Sequence, residues 1–259
     1  SLRGDVELVE GSIVDPSTVA AAMKGVEIVF HQAAIPSVGR SVANPQLSMM
    51  VGAMGTTIVL DVARHEGVKR VIFAGSSSAY GNTPTLPKVE TMTSAPLSPY
   101  AVSKVTCEHM MRVAASLYGL ETVSLRYFNV FGPRQDPRSS YSGVISIFVA
   151  QAQKGRSATI FGDGRQTRDF VYVADVVAMI QRCLQQRRSD GQIYNVGTGR
   201  SVSLRQLWQA IAPDIKPHFS AAREGDIPRS LATIAKAQRE LGFGPRTSLQ
   251  QGIRRLLRA

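Results

Sequence analysis

Tyr100-Ala101-Val102-Ser103-Lys104 sets a phenol and an ammonium four residues apart. On a helix that spacing puts both side chains on one face. A cation there favours the phenolate, so a phenol with an ordinary pKa of about 10 works as a base closer to neutrality. Many solvated helix faces carry the same pair, so its surroundings decide its meaning. Upstream lies Gly75-Ser76-Ser77-Ser78-Ala79-Tyr80-Gly81, whose hydroxyls suit a sugar hydroxyl or carbonyl; the plain alternative is a Ser-rich turn. Downstream, Arg126-Tyr127-Phe128-Asn129-Val130-Phe131-Gly132-Pro133 offers the Asn129 amide to a phosphate or sugar, where the alternative is an ordinary strand exit.

These residues need elements to position them. Residues 26–31, 68–74 and 122–127 are short runs rich in β-branched residues and are expected to be buried strands. Residues 46–66, ending near Gly67, and 98–119, closed by Gly119, are expected to be helices. Strands separated by helices mean βαβ units and a parallel sheet, with ligands beyond the carboxyl ends of the strands. That singles out the loops after Phe30, Phe73 and Tyr127. After about residue 130 the pattern loosens around Pro133, Pro137, Gly143, Gly155, Gly162 and Gly164, with further helices expected over 173–187, 203–212 and 248–258. The reading is an α/β fold, a Rossmann-like doubly wound parallel sheet over 1–130, with a smaller substrate lobe over 131–259 that returns some segments to the sheet.

The 259 residues, 44% hydrophobic, suffice for a sizeable core. No run approaches the roughly 18 uninterrupted apolar residues of a membrane span, and no charged-then-apolar leader opens the chain. Cys107 and Cys183 are too few for a disulfide framework or a cysteine-rich metal site, so no metal is expected and a reducing cytoplasm is. The net charge of +11 comes from scattered arginines, densest at Arg187-Arg188 and Arg254-Arg255-Arg258. Without a basic, aromatic-interleaved stripe it points to anionic small substrates rather than to nucleic acid.

Taken in order, Ser76-Ser77-Ser78, Tyr100-x-x-x-Lys104 and Arg126-Tyr127-Phe128-Asn129-x-x-Gly132-Pro133 resemble the extended short-chain dehydrogenase/reductase family of nucleotide-sugar enzymes. Gly162-Asp163-Gly164-Arg165-Gln166-Thr167-Arg168-Asp169-Phe170-Val171-Tyr172-Val173 and Arg223-Glu224-Gly225-Asp226 are similar to its sugar-nucleotide lobe. His31-Gln32-Ala33-Ala34 and Leu97-Ser98-Pro99-Tyr100 fit its UDP-sugar 4-epimerases, especially those for UDP-N-acetylglucosamine. The resemblance implies NAD as cofactor and 4-epimerisation of a UDP-sugar through a 4-keto intermediate. Tyr100 would be the base, Lys104 its cation, and Ser76 with Ser77 the hydrogen-bonding partners of the reacting oxygen. It further implies that Ile13, Ala33, Ala34, Tyr127, Tyr100 and Lys104 contact NAD. Ser37, Asn129, Phe161, Arg168, Arg223 and Asp226 would hold the UDP-sugar. Ser230, a small residue, would leave room for a 2-N-acetyl group. Members usually dimerise through two helices, here 46–66 and 98–119.

The chain departs from the family in one large way. A first strand followed by Gly-x-x-Gly-x-x-Gly, which seats the dinucleotide pyrophosphate at a helix N-terminus, does not occur. Val6-Glu7-Leu8-Val9 is expected to be the third strand of the pattern, with on the order of 40–50 residues absent before it. A groove of unpaired backbone and apolar surface is expected in their place. Ser12 stands where an Asp is usual, Gly52 where Asn is frequent, and Thr233 where Asp is frequent. With Ser76, Tyr100 and Lys104 present, the expectation is a fragment of an epimerase rather than a decayed site. The rivals are a 4,6-dehydratase, which needs Asp-Glu where Ser77-Ser78 stands; a UDP-glucuronate epimerase or decarboxylase; and a catalytically incompetent UDP-binding fragment.

Overall fold

The β-branched segments become strands and the stretches between them become helices. The computed structural model describes residues 6–137, 143–185, 190–222 and 226–258. In chain order its elements are α1 (Pro16–Met23), β1 (Ile28–His31), α2 (Val38–Ala43), α3 (Pro45–Met49), α4 (Gly55–His65), β2 (Arg70–Ser76), α5 (Pro99–Tyr118), β3 (Glu121–Tyr127), β4 (Asn129–Phe131) and α6 (Val144–Gln153). Then follow β5 (Thr159–Phe161), β6 (Thr167–Arg168), β7 (Phe170–Tyr172), α7 (Val173–Gln185), β8 (Asp190–Val196), β9 (Val202–Ser203), α8 (Leu204–Ile211), β10 (His218–Ser220), α9 (Ala235–Leu241) and α10 (Leu249–Leu257).

The central sheet runs β1-β2-β3-β8, with β1 parallel to β2 and Ile28 opposite Arg70. β2 and β3 are buried almost end to end, as strands covered on both faces must be. The fold class is therefore the α/β parallel sheet expected. Among the described residues, no strand lies on the outer side of β1. A groove of about 230 Å³ runs there, lined by Val9, Ile13, Val29, Phe30, Gln32 and Ala33, among others.

Two compact units share the chain: Ser1–Gly75 with Ser98–Ser124 and Arg188–Gln192, and Ser76–Leu97 with Leu125–Arg187 and Ile193–Ala259. The first is built on Val59, Leu60, Val71, Phe73, Cys107 and Met111. The second is built on Phe131, Phe148, Ile160, Tyr172, Leu207 and Trp208, with Phe148 and Trp208 edge to face at 5.3 Å between ring centres. Burying each such side chain contributes about 1.5–3 kcal/mol.

Two expectations are corrected. Val6–Val9 forms no strand, and Leu8 is 75% exposed. A strand needs a hydrogen-bonded neighbour, and this segment has none among the described residues. β1, expected to be buried, leaves Ile28 and Phe30 exposed at the sheet edge. The helix expected over 46–66 does run from Pro45 to His65, with a π-turn at Met50–Met54 between α3 and α4. Glycines at 52 and 55 weaken regular helix there, and such turns insert one extra residue. By length and composition alone, Pro45–His65 is apolar enough to cross a membrane, at mean hydropathy 1.3. Its α4 part instead packs against α1 and α5 and carries Asp61 and Arg64.

Candidate active site

Helix α5 presents the Tyr100–Lys104 pair. Ser98 caps it, its hydroxyl accepting the Ala101 amide hydrogen at 3.2 Å. Pro99 occupies the first turn, where its missing N–H is harmless. Gly119 closes the helix at φ 68°, a left-handed conformation that favours glycine. Tyr100 therefore stands in the first turn, half-buried, and Lys104 one turn further in, 5% exposed.

The Lys104 ammonium donates to the Ala74 carbonyl at 2.8 Å and lies 4.7 Å from the centre of the Phe73 ring and 5.9 Å from that of Tyr100. Burial pushes its pKa down to about 8, with Cys107 and Glu108 countering in part. The cation thus sits at the end of β2, beside the phenol, and its pKa lies near physiological pH. His31, at the end of β1, is buried too. Desolvation, with Lys104 as a smaller contributor, lowers its pKa to about 4, so it is neutral at pH 7. Its Nε2 lies 2.9 Å from Thr56 Oγ1.

Around β1, Ile13 and Ala33 line the edge groove, and Ala34 follows, half-buried. Ser37 caps α2, its hydroxyl accepting the Arg40 amide hydrogen at 3.2 Å. In the other unit, Ser76 ends β2 and caps a single 3₁₀ turn, Ser77–Tyr80. Its hydroxyl accepts from the Ser78 amide at 3.1 Å and from the Ser78 hydroxyl at 2.8 Å. Ser77 and Tyr127 are half-buried, the latter at the end of β3.

Asn129, Phe161, Arg168 and Asp226 come together on one cavity of about 380 Å³, with Gln151 and Gln166. Arg168 donates to the carbonyls of Ile227 at 2.6 Å and Thr167 at 2.9 Å, and lies 3.4 Å from the Asp226 carboxylate. Burial disfavours the guanidinium charge and Asp226 offsets part of that. Phe161 and Asp226 also line an adjoining space of about 450 Å³ with Arg165 and Arg229. Ser230 donates its backbone N–H to Thr167 O at 3.1 Å. Arg223 lies outside the described residues.

The residue types alone did not single out Asp169. Its carboxylate, fully buried, accepts from the amides of Thr198, Gly199 and Ala232 and from the Thr198 hydroxyl. It braces the chain next to Arg168. Its place inside the Arg168-Asp169-Phe170 motif was the available signal. Gln166, whose side chain donates to Phe161 O at 2.7 Å, likewise lies within the Gly162–Val173 motif.

The model of the NAD dependent epimerase/dehydratase family matches residues 1–197, and the chain belongs to that family. It is 40% identical over 254 residues to the UDP-glucose 4-epimerase of Mycolicibacterium smegmatis, covering 95% of this chain and 80% of the relative. The crystal structure of a UDP-glucose 4-epimerase with UDP-glucose from Thermotoga maritima superposes with a TM-score of 0.95 at 34% identity, covering 99% and 85% of the two chains. A UDP-N-acetylglucosamine 4-epimerase from Methanobrevibacter ruminantium in complex with UDP-N-acetylmuramic acid follows at TM-score 0.91 and 33% identity, covering 96% and 80%.

Proposed function

We propose that the chain carries the NAD-dependent 4-epimerisation of a UDP-sugar. The observation that carries this reading is the buried Lys104 ammonium, fixed at Ala74 O beside the Tyr100 ring. An ammonium has three N–H donors; one is used at Ala74 O, and a ribose hydroxyl suits another. Ile13 and Ala33, which line the groove beside β1, are read as contacts for the remaining part of the dinucleotide. Ala34 and Tyr127 complete that contact set. The first unit is read as the cofactor half and the second as the sugar-nucleotide half.

NAD, when bound, supplies a hydride acceptor and donor at the sugar's carbon 4. Tyr100, as phenolate, takes the proton of the 4-hydroxyl during oxidation and returns it on reduction to the opposite configuration. Lys104 stabilises that phenolate. Ser76 and Ser77 donate to the reacting oxygen. Arg168 meets the pyrophosphate, as does Arg223. Asp226 and Asn129 take hydroxyl and phosphate groups, Phe161 lies by the uracil, and Ser37 faces the sugar. A small Ser230 admits an N-acetyl group, so UDP-GlcNAc and UDP-glucose are both substrates.

Exposed Met50, Met54, Val102, Val113 and Leu117 on the π-turn and α5 support a homodimer through these helices. The two buried free cysteines suit a reducing cytoplasm. The test is product analysis of UDP-GlcNAc and UDP-glucose with NAD added. Conversion to the 4-epimers by the parent, lost in Tyr100→Phe with UDP binding kept, is the expected result. Equal conversion by Tyr100→Phe would remove Tyr100 as the base.

A further inference from the structure

The π-turn before α4 touches α5 on the face that carries the reacting pair. A Cβ added at Gly52 would lie 2.7 Å from both Cβ and Oγ of Ser103, nearer than carbon atoms approach. Ser103 is 2% exposed and sits between Tyr100 and Lys104 in sequence, with its hydroxyl donating to the Tyr100 carbonyl at 2.8 Å. One turn further along, the Cys107 thiol donates to the Gly52 carbonyl at 3.3 Å and lies 3.1 Å from Thr56 Oγ1. Thr56 Oγ1 in turn meets His31 Nε2. Two successive turns of α5 therefore rest on one glycine: Ser103 fills the space a side chain at 52 would need, and Cys107 holds that glycine's carbonyl.

We propose that Gly52, Ser103 and Cys107 are positioning residues that fix how closely α5 approaches the π-turn, and so where Lys104 and Tyr100 stand relative to the end of β2. This rests on the reading of Tyr100 and Lys104 as the reacting pair. A push at Ser103 moves α5 as a rigid rod, and the Lys104 ammonium then leaves its seat at Ala74 O and Phe73. None of the three side chains needs to touch a ligand.

The test titrates Lys104 by NMR in the full chain carrying ¹³C-labelled lysine, with Lys104→Met to assign its signal. In parallel, kcat and KM are measured on UDP-GlcNAc with NAD added. Gly52→Ala is expected to raise the Lys104 midpoint by about one pH unit or more, as the ammonium regains water, and to lower kcat at least about tenfold. Gly52→Ala/Ser103→Ala should behave the same, because the Ser103 Cβ alone still collides. Gly52→Ala/Ser103→Gly should restore both readouts. A folded Gly52→Ala protein with an unmoved midpoint overturns the proposal, as does rescue by Ser103→Ala equal to that by Ser103→Gly. Should Gly52→Ala not fold, Cys107→Ala decides. A midpoint higher in Cys107→Ala than in Cys107→Ser, both of which lack the thiol, upholds the proposal, and equal midpoints overturn it. The titration needs no turnover. A parent that epimerises neither UDP-GlcNAc nor UDP-glucose refutes the function while leaving the positioning result standing.

Discussion

Lys104→Met should make the protein more stable at neutral pH while abolishing its activity. The ammonium is 5% exposed, and folding lowers its pKa from 10.5 to about 8. At about 1.4 kcal/mol per pH unit, that shift corresponds to about 3 kcal/mol of desolvation cost at pH 7. Methionine has nearly the same length, carries no charge and fills the same space. It forfeits the bond to Ala74 O and the contact with the Phe73 ring, together about 1–2 kcal/mol. The net expectation is a gain of about 1–2 kcal/mol at pH 7. Below pH 8 lysine is charged in both folded and unfolded chains, so the difference between the two proteins is flat. Between pH 8 and 10.5 the unfolded chain binds more protons than the folded one, so the parent's stability climbs and the variant's advantage shrinks. Tyr80, pushed up to about 12, also titrates in the alkaline range but is present in each protein and cancels in the difference. Cys107, raised by burial, loses the lowering influence of Lys104 in the variant and titrates higher there. Urea unfolding of both proteins at pH 7, 8, 9 and 10 reads this directly. A variant less stable than the parent at pH 7, by an amount that does not change up to pH 10, would refute the reasoning: Lys104 would then be held by favourable contacts rather than buried at a cost.

Asp169→Ala strips the buried acceptor from three backbone amides and one hydroxyl, so a loss of about 3–5 kcal/mol and a clear drop in melting temperature are expected in thermal unfolding. His31, with its pKa lowered to about 4, binds fewer protons folded than unfolded between pH 4 and 6.5. Stability should therefore fall by about 3 kcal/mol as pH drops through that window, and His31→Leu should flatten this part of the urea-unfolding profile. Arg168→Ala should weaken UDP binding by about tenfold to a hundredfold in calorimetry while leaving the fold intact; unchanged affinity would make Arg168 a brace for Ile227 and Asp226 instead.

Much of the frame was readable in the sequence because it is local. The serine cap, Pro99 and Gly119 bound α5 at both ends, and four-residue spacing puts Tyr100 and Lys104 on one face without any tertiary contact. The β-branched runs located β1, β2 and β3 to within two residues. Asn129, Phe161, Arg168 and Asp226, spread over nearly a hundred residues, were grouped by their motifs and do line one cavity.

What the tertiary structure decided is how deep each group lies and what it rests against. Spacing could pair Lys104 with Tyr100, but its burial depends on Phe73 and Ala74 from another element, and burial sets its pKa. Gly52 read as a departure from the family pattern, whereas packing makes it the one residue type that leaves room for Ser103. The same holds for the π-turn, for the unpaired Val6–Val9 and for the four donors gathered on Asp169. Periodicity and capping act over a few residues, so the sequence carries them openly. Desolvation, steric exclusion and strand pairing are set by distant segments brought together, and become visible only when the chain is folded.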